Sequence, residues 1–246
     1  MTCLVLAAGY ATRLYPLTEF FPKPLLKVND KTILDWLLDD VDALRRIDRY
    51  VIITNSRYYK NFIEWASGKR LRAGVCVLND GTLTNETRLG AVNDIQFAID
   101  ALGIDDDLLV LAGDNLLDFS LEHFLNYCGA RQTSCVMRYF ETDRKRLRKS
   151  GVASVDDNGR VARMEEKPAE PSDNWCIPPF YYLRRDDVRL VKKAIENGCK
   201  SDAPGSLIAW LSNIIPVHAL EMPGKRYDIG DYASYQAAQD AYRGIK

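Results

Sequence analysis

Residues that could hold phosphate follow the first apolar segment of the chain. The stretch from Ala7 to Leu26 contains Gly9, three prolines and two separated cations, Arg13 and Lys23. Glycine lets backbone amides approach phosphate oxygens closely, Arg can grip a phosphate with its planar fork, and Lys supplies a compact charge. A strand-to-helix connection usually needs only about 2–6 residues. The length of this loop therefore favours a binding function over a simple connection.

Two carboxylates stand in turn-like segments far apart in the sequence. Asp114 lies between Gly113 and Asn115 after the apolar run Leu108–Leu111, and Asp228 belongs to the segment YDIGD near the C-terminus. Mg²⁺ usually takes one or two carboxylates and completes its shell with water and phosphates. Aspartate also forms turns and caps helices. The pair predicts a metal site, whereas either residue alone would favour a structural role.

A third segment, Glu165-Glu166-Lys167-Pro168, closes a predicted strand with adjacent opposite charges. A solvated strand end explains such a pattern. The alternative is that Lys167 projects into an active cleft and Glu166 contacts a polyhydroxylated substrate. The residues themselves leave both interpretations open.

The elements that must position these residues alternate between strands and helices in the first half of the chain. Alternating apolar strands and amphipathic helices predict an α/β fold with a mainly parallel, doubly wound, Rossmann-like sheet. Ligands bind beyond the carboxyl ends of the strands in such sheets, so residues 8–23 and 113–115 are expected at one edge. The predicted strands are Cys3–Leu6, Tyr50–Thr54, Val75–Leu78, Leu108–Leu111 and Cys135–Tyr139, and the predicted helices are Ile33–Leu44, Tyr58–Ala66, Thr87–Leu102 and Leu121–Tyr127.

The second half of the chain changes pattern and begins with a predicted hairpin. Its strands are Val152–Val155 and Val161–Met164, and the Asn158-Gly159 pair between them favours a tight turn. We expect this half to elaborate the same sheet within a single domain, 1–246. Its further elements are a strand at Phe180–Leu183, a helix near Asp187–Glu196, a helix after Ala203-Pro204-Gly205, a strand near Val217–Glu221 and a last helix from Tyr232.

Composition excludes several function classes. The 33 Lys and Arg against 34 Asp and Glu give a net charge of −1, so no bulk field attracts nucleic acid or an anionic membrane. Six cysteines without a CxxC pair and only two histidines lack the spacing of a zinc site. Without a basic leader or a membrane segment, we expect a reduced, cytoplasmic protein. We interpret the basic segment Arg144–Lys149 as a solvated loop or helix face, and the alternative is a basic patch that binds a partner or a phosphate.

The chain resembles the sugar-1-phosphate nucleotidyltransferases of the glucose-1-phosphate thymidylyltransferase type. That family opens with LAxGxGTRLxPLTxxxPKPLL, and Leu6 to Leu26 reads LAAGYATRLYPLTEFFPKPLL. The resemblance continues in order through LAGDN at 111–115, EEKP at 165–168 and YDIG at 227–230. It implies a fold of the GT-A type, in which about 1–140 bind the nucleotide and about 141–246 bind the acceptor and complete the sheet.

The resemblance also implies roles for individual residues. Arg13, Lys23 and Lys167 match catalytic residues that contact the reacting phosphates, and Asp114 and Asp228 match Mg²⁺ ligands. Glu166 and Lys167, together with Asn115, match the acceptor side. The residues implied in nucleotide binding are Leu6, Ala8, Gly9 and Thr12 at the phosphates and, by rough positional equivalence, Asn79, Gly81 and Gly90 at the base.

Three departures from the family pattern affect these expectations. Ala11 replaces the second loop glycine, which we expect to be a mild change, and Asp231 replaces a common Thr. Pro178-Pro179 stands where relatives often carry Thr-Gly. Because Pro179 has no amide hydrogen, we expect an unusual acceptor.

The expected activity is therefore transfer of a nucleotidyl group from an NTP (dTTP, UTP or CTP) to a sugar 1-phosphate, with Mg²⁺ as cofactor. One alternative is a cytidylyltransferase that acts on a non-sugar phosphate ester such as phosphocholine. Another is a non-catalytic module that binds nucleotide sugars. A homo-oligomer is compatible with the sequence, which determines neither the oligomeric state nor the base.

Overall fold

A computed structural model describes residues 1–245 of the chain. The strands alternate with helices, as the sequence pattern predicts. They are β1 (Thr2–Leu6), β2 (Lys27–Val28), β3 (Lys31–Thr32), β4 (Arg49–Thr54), β5 (Val75–Asn79), β6 (Leu108–Ala112), β7 (Asn115–Leu117), β8 (Ser134–Phe140), β9 (Gly151–Val155), β10 (Val161–Glu166), β11 (Trp175–Ile177), β12 (Phe180–Leu183), β13 (Val217–Glu221) and β14 (Arg226–Asp228).

Most helices are short and bury one apolar face. They are α1 (Ile33–Ala43), α2 (Tyr59–Gly68), α3 (Ala91–Leu102), α4 (Glu122–Arg131), α5 (Arg144–Leu147), α6 (Arg185–Val188), α7 (Leu190–Glu196), α8 (Gly205–Leu211) and α9 (Tyr232–Ala241). Three 3₁₀ turns lie at Thr12–Leu14, Lys23–Leu25 and Asn85–Thr87.

The residues group into two compact units that interleave along the chain. Unit 1 comprises 1–88, 112–122 and 223–245, and unit 2 comprises 89–111 and 123–222. The division into a nucleotide part, 1–140, and an acceptor part, 141–246, stays a prediction.

Unit 1 contains a parallel sheet in which β4 pairs with both β1 and β5. The central residues of β1 and β4 are fully buried, as expected for strands covered on both faces. Two small antiparallel ladders, β2 with β3 and β7 with β14, complete the unit. An apolar cluster of this unit joins the first loop, through Leu14 and Leu26, to Ile229 after β14 and to Tyr242 at the end of α9.

Unit 2 contains a mixed sheet. The strands follow the order β10-β9-β11-β8-β12-β6, all in antiparallel pairs, and β13 adds to β8 in parallel. The predicted hairpin is confirmed as β9 and β10. Its turn has the left-handed conformation at Gly159 alone, with φ of 81°.

The α/β fold class is confirmed, and most predicted elements are present. Three helices differ from the expectation by more than two residues or by a break. Helix α3 begins at Ala91 rather than Thr87, because Gly90 has φ of 90°, which no helix accommodates. The helix expected near Asp187–Glu196 is divided into α6 and α7 at Arg189, and α4 continues to Arg131. Within residues 1–245, each helix is too short or too polar to cross a membrane.

Candidate functional site

The first loop is anchored by buried apolar residues on either side of its cations. Leu14 and Leu25 are almost fully buried, while Arg13 is exposed. Pro24 lies in the 3₁₀ turn that begins at Lys23, where its fixed φ is accommodated. The apolar anchors therefore fix the backbone and leave the Arg13 side chain in solvent.

Lys23 connects the first loop to two distant segments of unit 1. Its Nζ lies 2.6 Å from Oδ2 of Asp114 and donates to the carbonyl oxygen of Ile229 at 2.8 Å. Only 15% of the Lys23 side chain is exposed. The predicted approach of Lys23 to Asp114 and to the segment of Asp228 is thus present in the geometry.

The Asp114 carboxyl is held by close backbone packing and by opposite charge. A Cβ on Gly113 would lie 3.0 Å from Cγ1 of Val5, so this position favours glycine. Burial by itself would raise the pKa of Asp114, but the Lys23 ammonium, with a further contribution from Arg226, holds that pKa below its ordinary value. Asp114 is therefore a carboxylate at neutral pH.

Pairing of β7 with β14 brings Asp228 opposite Asn115. The Asn115 amide donates to Oδ1 of Asp114 at 2.7 Å, and Nη1 of Arg226 donates to Oδ1 of Asn115 at 2.6 Å. The same Nη1 lies 3.3 Å from Oδ2 of Asp228. These contacts form a closed series, because Lys23 also donates to the carbonyl of Ile229, the residue after Asp228. We call the set the polar ring, and its members are Lys23, Asp114, Asn115, Arg226 and Asp228.

Arg226 is the one member of the polar ring that sequence reasoning missed. Its signal was only its position, directly before the YDIG segment. A charged residue in a three-residue strand has no assigned partner until the strand pairing is known.

Arg13 lies beside the same segment. Its Nη1 is 4.0 Å from the position that a Cβ on Gly230 would take. Ala11, which begins the turn before Arg13, adopts the left-handed conformation with φ of 47°. The expectation that replacing glycine here is mild needs correction, since an L-residue in this conformation costs about 1–2 kcal/mol.

The predicted phosphate loop is open at its glycine. A Cβ on Gly9 would have no neighbour within 4 Å, and Thr12 is exposed. The preceding backbone is fixed, since the Ala8 carbonyl accepts from Asn55 and the Leu6 carbonyl accepts from Gly113. Space for a ligand is therefore available at Gly9.

The residues assigned to the base divide between the units. In unit 1, Oδ1 of Asn79 accepts from Ser56 at 3.0 Å and from the Gly81 amide at 2.9 Å. Gly81 has φ of 82°. In unit 2, a Cβ on Gly90 would lie 2.6 Å from the Ser201 carbonyl oxygen, so close packing explains that glycine.

A buried polar network lies beside Asn79. The Thr82 hydroxyl is 3.0 Å from the Tyr10 hydroxyl and donates to Oδ1 of Asp80 at 2.8 Å. Burial raises the pKa of Asp80. The network ties residues 80–82 to the residue after Gly9, and sequence reasoning gave no signal for it.

Glu166 ends β10 in unit 2 and is mostly buried. A Cβ on Gly151 would lie 2.8 Å from its Oε2, and one on Gly205 would overlap the same carboxyl. Burial raises the pKa of Glu166 to about 7; Lys167 opposes this effect and Asp202 adds to it. The solvated strand end is thus the wrong description for Glu166.

Lys167 has a backbone conformation that its sequence context did not predict. Pro168 favours extended backbone in the preceding residue, but Lys167 is left-handed with φ of 51°. Its amide donates to the Ser150 carbonyl at 3.0 Å, and its Nζ lies 3.7 Å from Oδ2 of Asp202. Lys167 borders a cavity of about 420 Å³, whose lining residues are Glu165, Glu166, Lys167, Pro168, Cys199, Lys200, Ser206, Ala209 and Trp210.

The double proline joins two strands of the mixed sheet. Pro178 is buried, and its carbonyl accepts from the Phe180 amide at 2.8 Å.

The basic segment forms α5 and the residues that follow it. Arg144 and Arg148 pair with Glu170, and Arg146 pairs with Glu141 and Asp143. These acidic residues offset part of the positive charge of the segment.

In this α/β fold the loop after β1 thus brings Lys23 to Asp114 and Arg13 to the segment that contains Gly230. The model of the family described as nucleotidyl transferase matches residues 2–244. The chain belongs to this family.

Named relatives narrow the comparison. A UTP–glucose-1-phosphate uridylyltransferase of Synechocystis sp. is 25% identical over 254 residues, which is 100% of this chain and 63% of the relative. A glucose-1-phosphate thymidylyltransferase of Streptomyces griseus is 30% identical over 182 residues, 74% of this chain and 48% of the relative. The chain thus spans about half to two-thirds of the length of these relatives.

Solved structures show the same fold. UDP-glucose pyrophosphorylase in complex with UDP-glucose matches with a TM-score of 0.82 and 20% identity, over 98% of this chain and 97% of that one. At this identity the likeness establishes the fold alone.

Proposed function

We propose that this protein transfers a nucleotidyl group from an NTP to a sugar 1-phosphate, yielding an NDP-sugar and pyrophosphate in a Mg²⁺-dependent reaction. The observation that carries the proposal is the polar ring, in which Lys23 holds Asp114 at 2.6 Å and also binds the carbonyl that follows Asp228. The relatives named as uridylyl- and thymidylyltransferases support this reaction class.

The nucleotide is assigned to unit 1. The open backbone around Gly9 would receive its phosphates, and the exposed Arg13 guanidinium would hold two oxygens of the departing pyrophosphate. Negative charge on that pyrophosphate grows in the transition state. Fixed positive groups that meet the growing charge lower the barrier more than they strengthen substrate binding.

The reaction needs no protein nucleophile, because the phosphate of the acceptor is already an ionised oxygen nucleophile. The chain's task is to bring two polyanions together and to offset their charge. Lys23 serves this task while it remains bound to the Ile229 carbonyl, which fixes its position.

The donor set of the polar ring fits Mg²⁺. Asp114 and Asp228 would hold the ion through hard carboxylate oxygens. Within residues 1–245 no group of three or more His, Cys, Asp or Glu side chains is arranged as a metal site, but Mg²⁺ commonly uses only one or two carboxylates. When bound, the ion supplies positive charge to the phosphate oxygens.

The acceptor is assigned to the cavity of unit 2. Lys167 would bind its phosphate, and Glu166 would contact hydroxyl groups of the sugar. With a pKa of about 7, the Glu166 carboxyl can donate or accept a hydrogen bond near neutral pH. A larger residue at Gly151 or Gly205 would require the Glu166 carboxyl to move.

A second candidate keeps the chemistry and changes the acceptor to a non-sugar phosphate ester, such as phosphocholine, with CTP as donor. The observation that favours it is the double proline at 178–179, which removes the backbone donor found in many relatives.

A matrix of NTPs against phosphorylated acceptors with Mg²⁺ tests the proposal through pyrophosphate release and the mass of the product. Turnover with dTTP, UTP or CTP and a sugar 1-phosphate supports it, and preference for CTP with phosphocholine selects the second candidate. Binding without turnover would indicate a non-catalytic module. Asp114→Asn is the inactive control, and Lys60→Met on the exposed face of α2 is the matched active control.

A further inference from the structure

The polar ring contains two cations, and only one of them belongs to the first loop. Arg226 contributes the second from β14, with 13% of its side chain exposed. Its Nη1 contacts Asn115 at 2.6 Å and Asp228 at 3.3 Å. The Asn115 amide in turn donates to Oδ1 of Asp114 at 2.7 Å. One guanidinium therefore contacts Asp228 directly and is connected to Asp114 through the Asn115 side chain.

The backbone under the ring is cross-linked, so the ring's geometry does not depend on Arg226 alone. The Ile229 amide donates to the Asp114 carbonyl at 3.2 Å, and β7 pairs with β14 at Asn115 and Asp228. Removal of the Arg226 side chain would leave both carboxylates on a fixed backbone. The main loss would be electrostatic.

The charges of the ring cancel. Asp114 and Asp228 carry one negative charge each, and Lys23 and Arg226 carry one positive charge each. Arg13, beside Gly230, adds a further positive charge at the edge of the ring. A divalent cation that approaches this protein without nucleotide therefore meets no net attraction, because its two ligands are already paired.

We propose that Arg226 is the resident counter-ion of the two metal-ligating carboxylates, a positioning residue that keeps the affinity for free divalent metal low until nucleotide phosphates supply additional negative charge. The inference rests on the proposed metal assignment of Asp114 and Asp228. It deepens that assignment by naming the residue that sets the affinity of the site.

Mn²⁺ binding to the full chain tests this inference without any substrate. Free Mn²⁺ is followed by its electron paramagnetic resonance signal at pH 7.5 for the wild type, Arg226→Met, Arg226→Gln and Arg226→Lys. Arg226→Met and Arg226→Gln should bind Mn²⁺ at least about tenfold more tightly than the wild type, and Arg226→Lys should stay within about twofold. Tenfold corresponds to about 1.4 kcal/mol.

The direction of the change separates a counter-ion from a structural role. Damage to the site would weaken Mn²⁺ binding, whereas loss of a counter-ion strengthens it. The increase in Mn²⁺ affinity should disappear in the double variant Arg226→Met/Asp228→Asn. The control Lys60→Met should bind Mn²⁺ with the affinity of the wild type. Unchanged or weaker binding in both neutral variants would overturn the inference.

Failure of the inference and failure of the proposed function remain distinguishable. Mn²⁺ affinity is measured in the absence of NTP and acceptor, while the function is judged by product formation. Tighter metal binding in Arg226→Gln without any turnover in the substrate matrix would support the inference and contradict the function. Turnover by the wild type together with unchanged Mn²⁺ affinity in the neutral Arg226 variants would support the function and contradict the inference.

Discussion

Glu166→Gln should change the pH dependence of stability, because the folded chain holds this carboxyl where burial disfavours its charge. Burial raises the pKa of Glu166 to about 7, against an ordinary value of 4.5. Between these values the folded state binds more protons than the unfolded state, so the free energy of unfolding falls as pH rises. Above about pH 7 the loss is complete.

The magnitude follows from the two pKa values. A difference of about 2.5 at 1.36 kcal/mol per pH unit gives an upper bound of about 3 kcal/mol. Partial exposure and relaxation reduce this figure, and we expect about 1–2 kcal/mol. Glutamine stays neutral, so Glu166→Gln should match the wild type at pH 4, below the ordinary pKa of the carboxyl, and exceed it by that amount at pH 8.

Urea unfolding of both proteins at pH 4, 5, 6, 7 and 8 measures this difference. Other titrating groups cancel because they are shared. Glu165→Gln is the matched control, since the Glu165 side chain is 42% exposed and pairs with Arg163. The stability of this variant should run parallel to that of the wild type across the pH range. Parallel curves for Glu166→Gln and the wild type would refute the reasoning.

Three further predictions concern single positions. Ala11→Gly should raise the melting temperature by about 1–2 °C in calorimetry, because relief of left-handed strain exceeds the extra unfolded-state entropy; a lower value would contradict the strain. Arg13→Lys should lower kcat and kcat/KM together, by about 10²–10³-fold, in steady-state kinetics; an effect on KM alone would place Arg13 in ground-state binding. Lys167→Ala should raise KM for the acceptor more than for the NTP, and added salt should narrow the difference in acceptor KM between this variant and the wild type. The exposed Lys60→Ala on α2 is the control. Equal effects on both substrates would remove Lys167 from the acceptor side.

Local sequence patterns predicted those strands and helices that form mainly through residues close together in the sequence. The apolar runs at Cys3–Leu6 and Leu108–Leu111 became β1 and β6 because uninterrupted β-branched and leucine residues favour buried strands. The start of α3 was placed four residues early, since apolar periodicity does not report that Gly90 packs against Ser201. The left-handed backbone of Lys167 opposed the local preference set by Pro168.

Some residues of the candidate site could be predicted from the sequence, and others depend on contacts between distant segments. Lys23 and Asp114 were predicted from residue type and position, and the structure places them in contact. Arg226 could not be predicted, because its importance comes from the pairing of β14 with β7, which joins residues more than 100 positions apart. The packing around the Glu166 carboxyl likewise depends on Gly205, which lies in α8.

The most direct test of the central claim is Mg²⁺-dependent formation of an NDP-sugar by the full chain and by Asp114→Asn and Asp228→Asn. Each substitution deletes a hard anionic ligand at nearly constant volume, so folding should persist, as judged by circular dichroism. The wild type should form product, and each variant should lose most Mg²⁺-dependent turnover. Near wild-type rates in both folded variants would contradict the metal assignment, and the absence of product from the wild type across all NTPs and sugar 1-phosphates would contradict the proposed function.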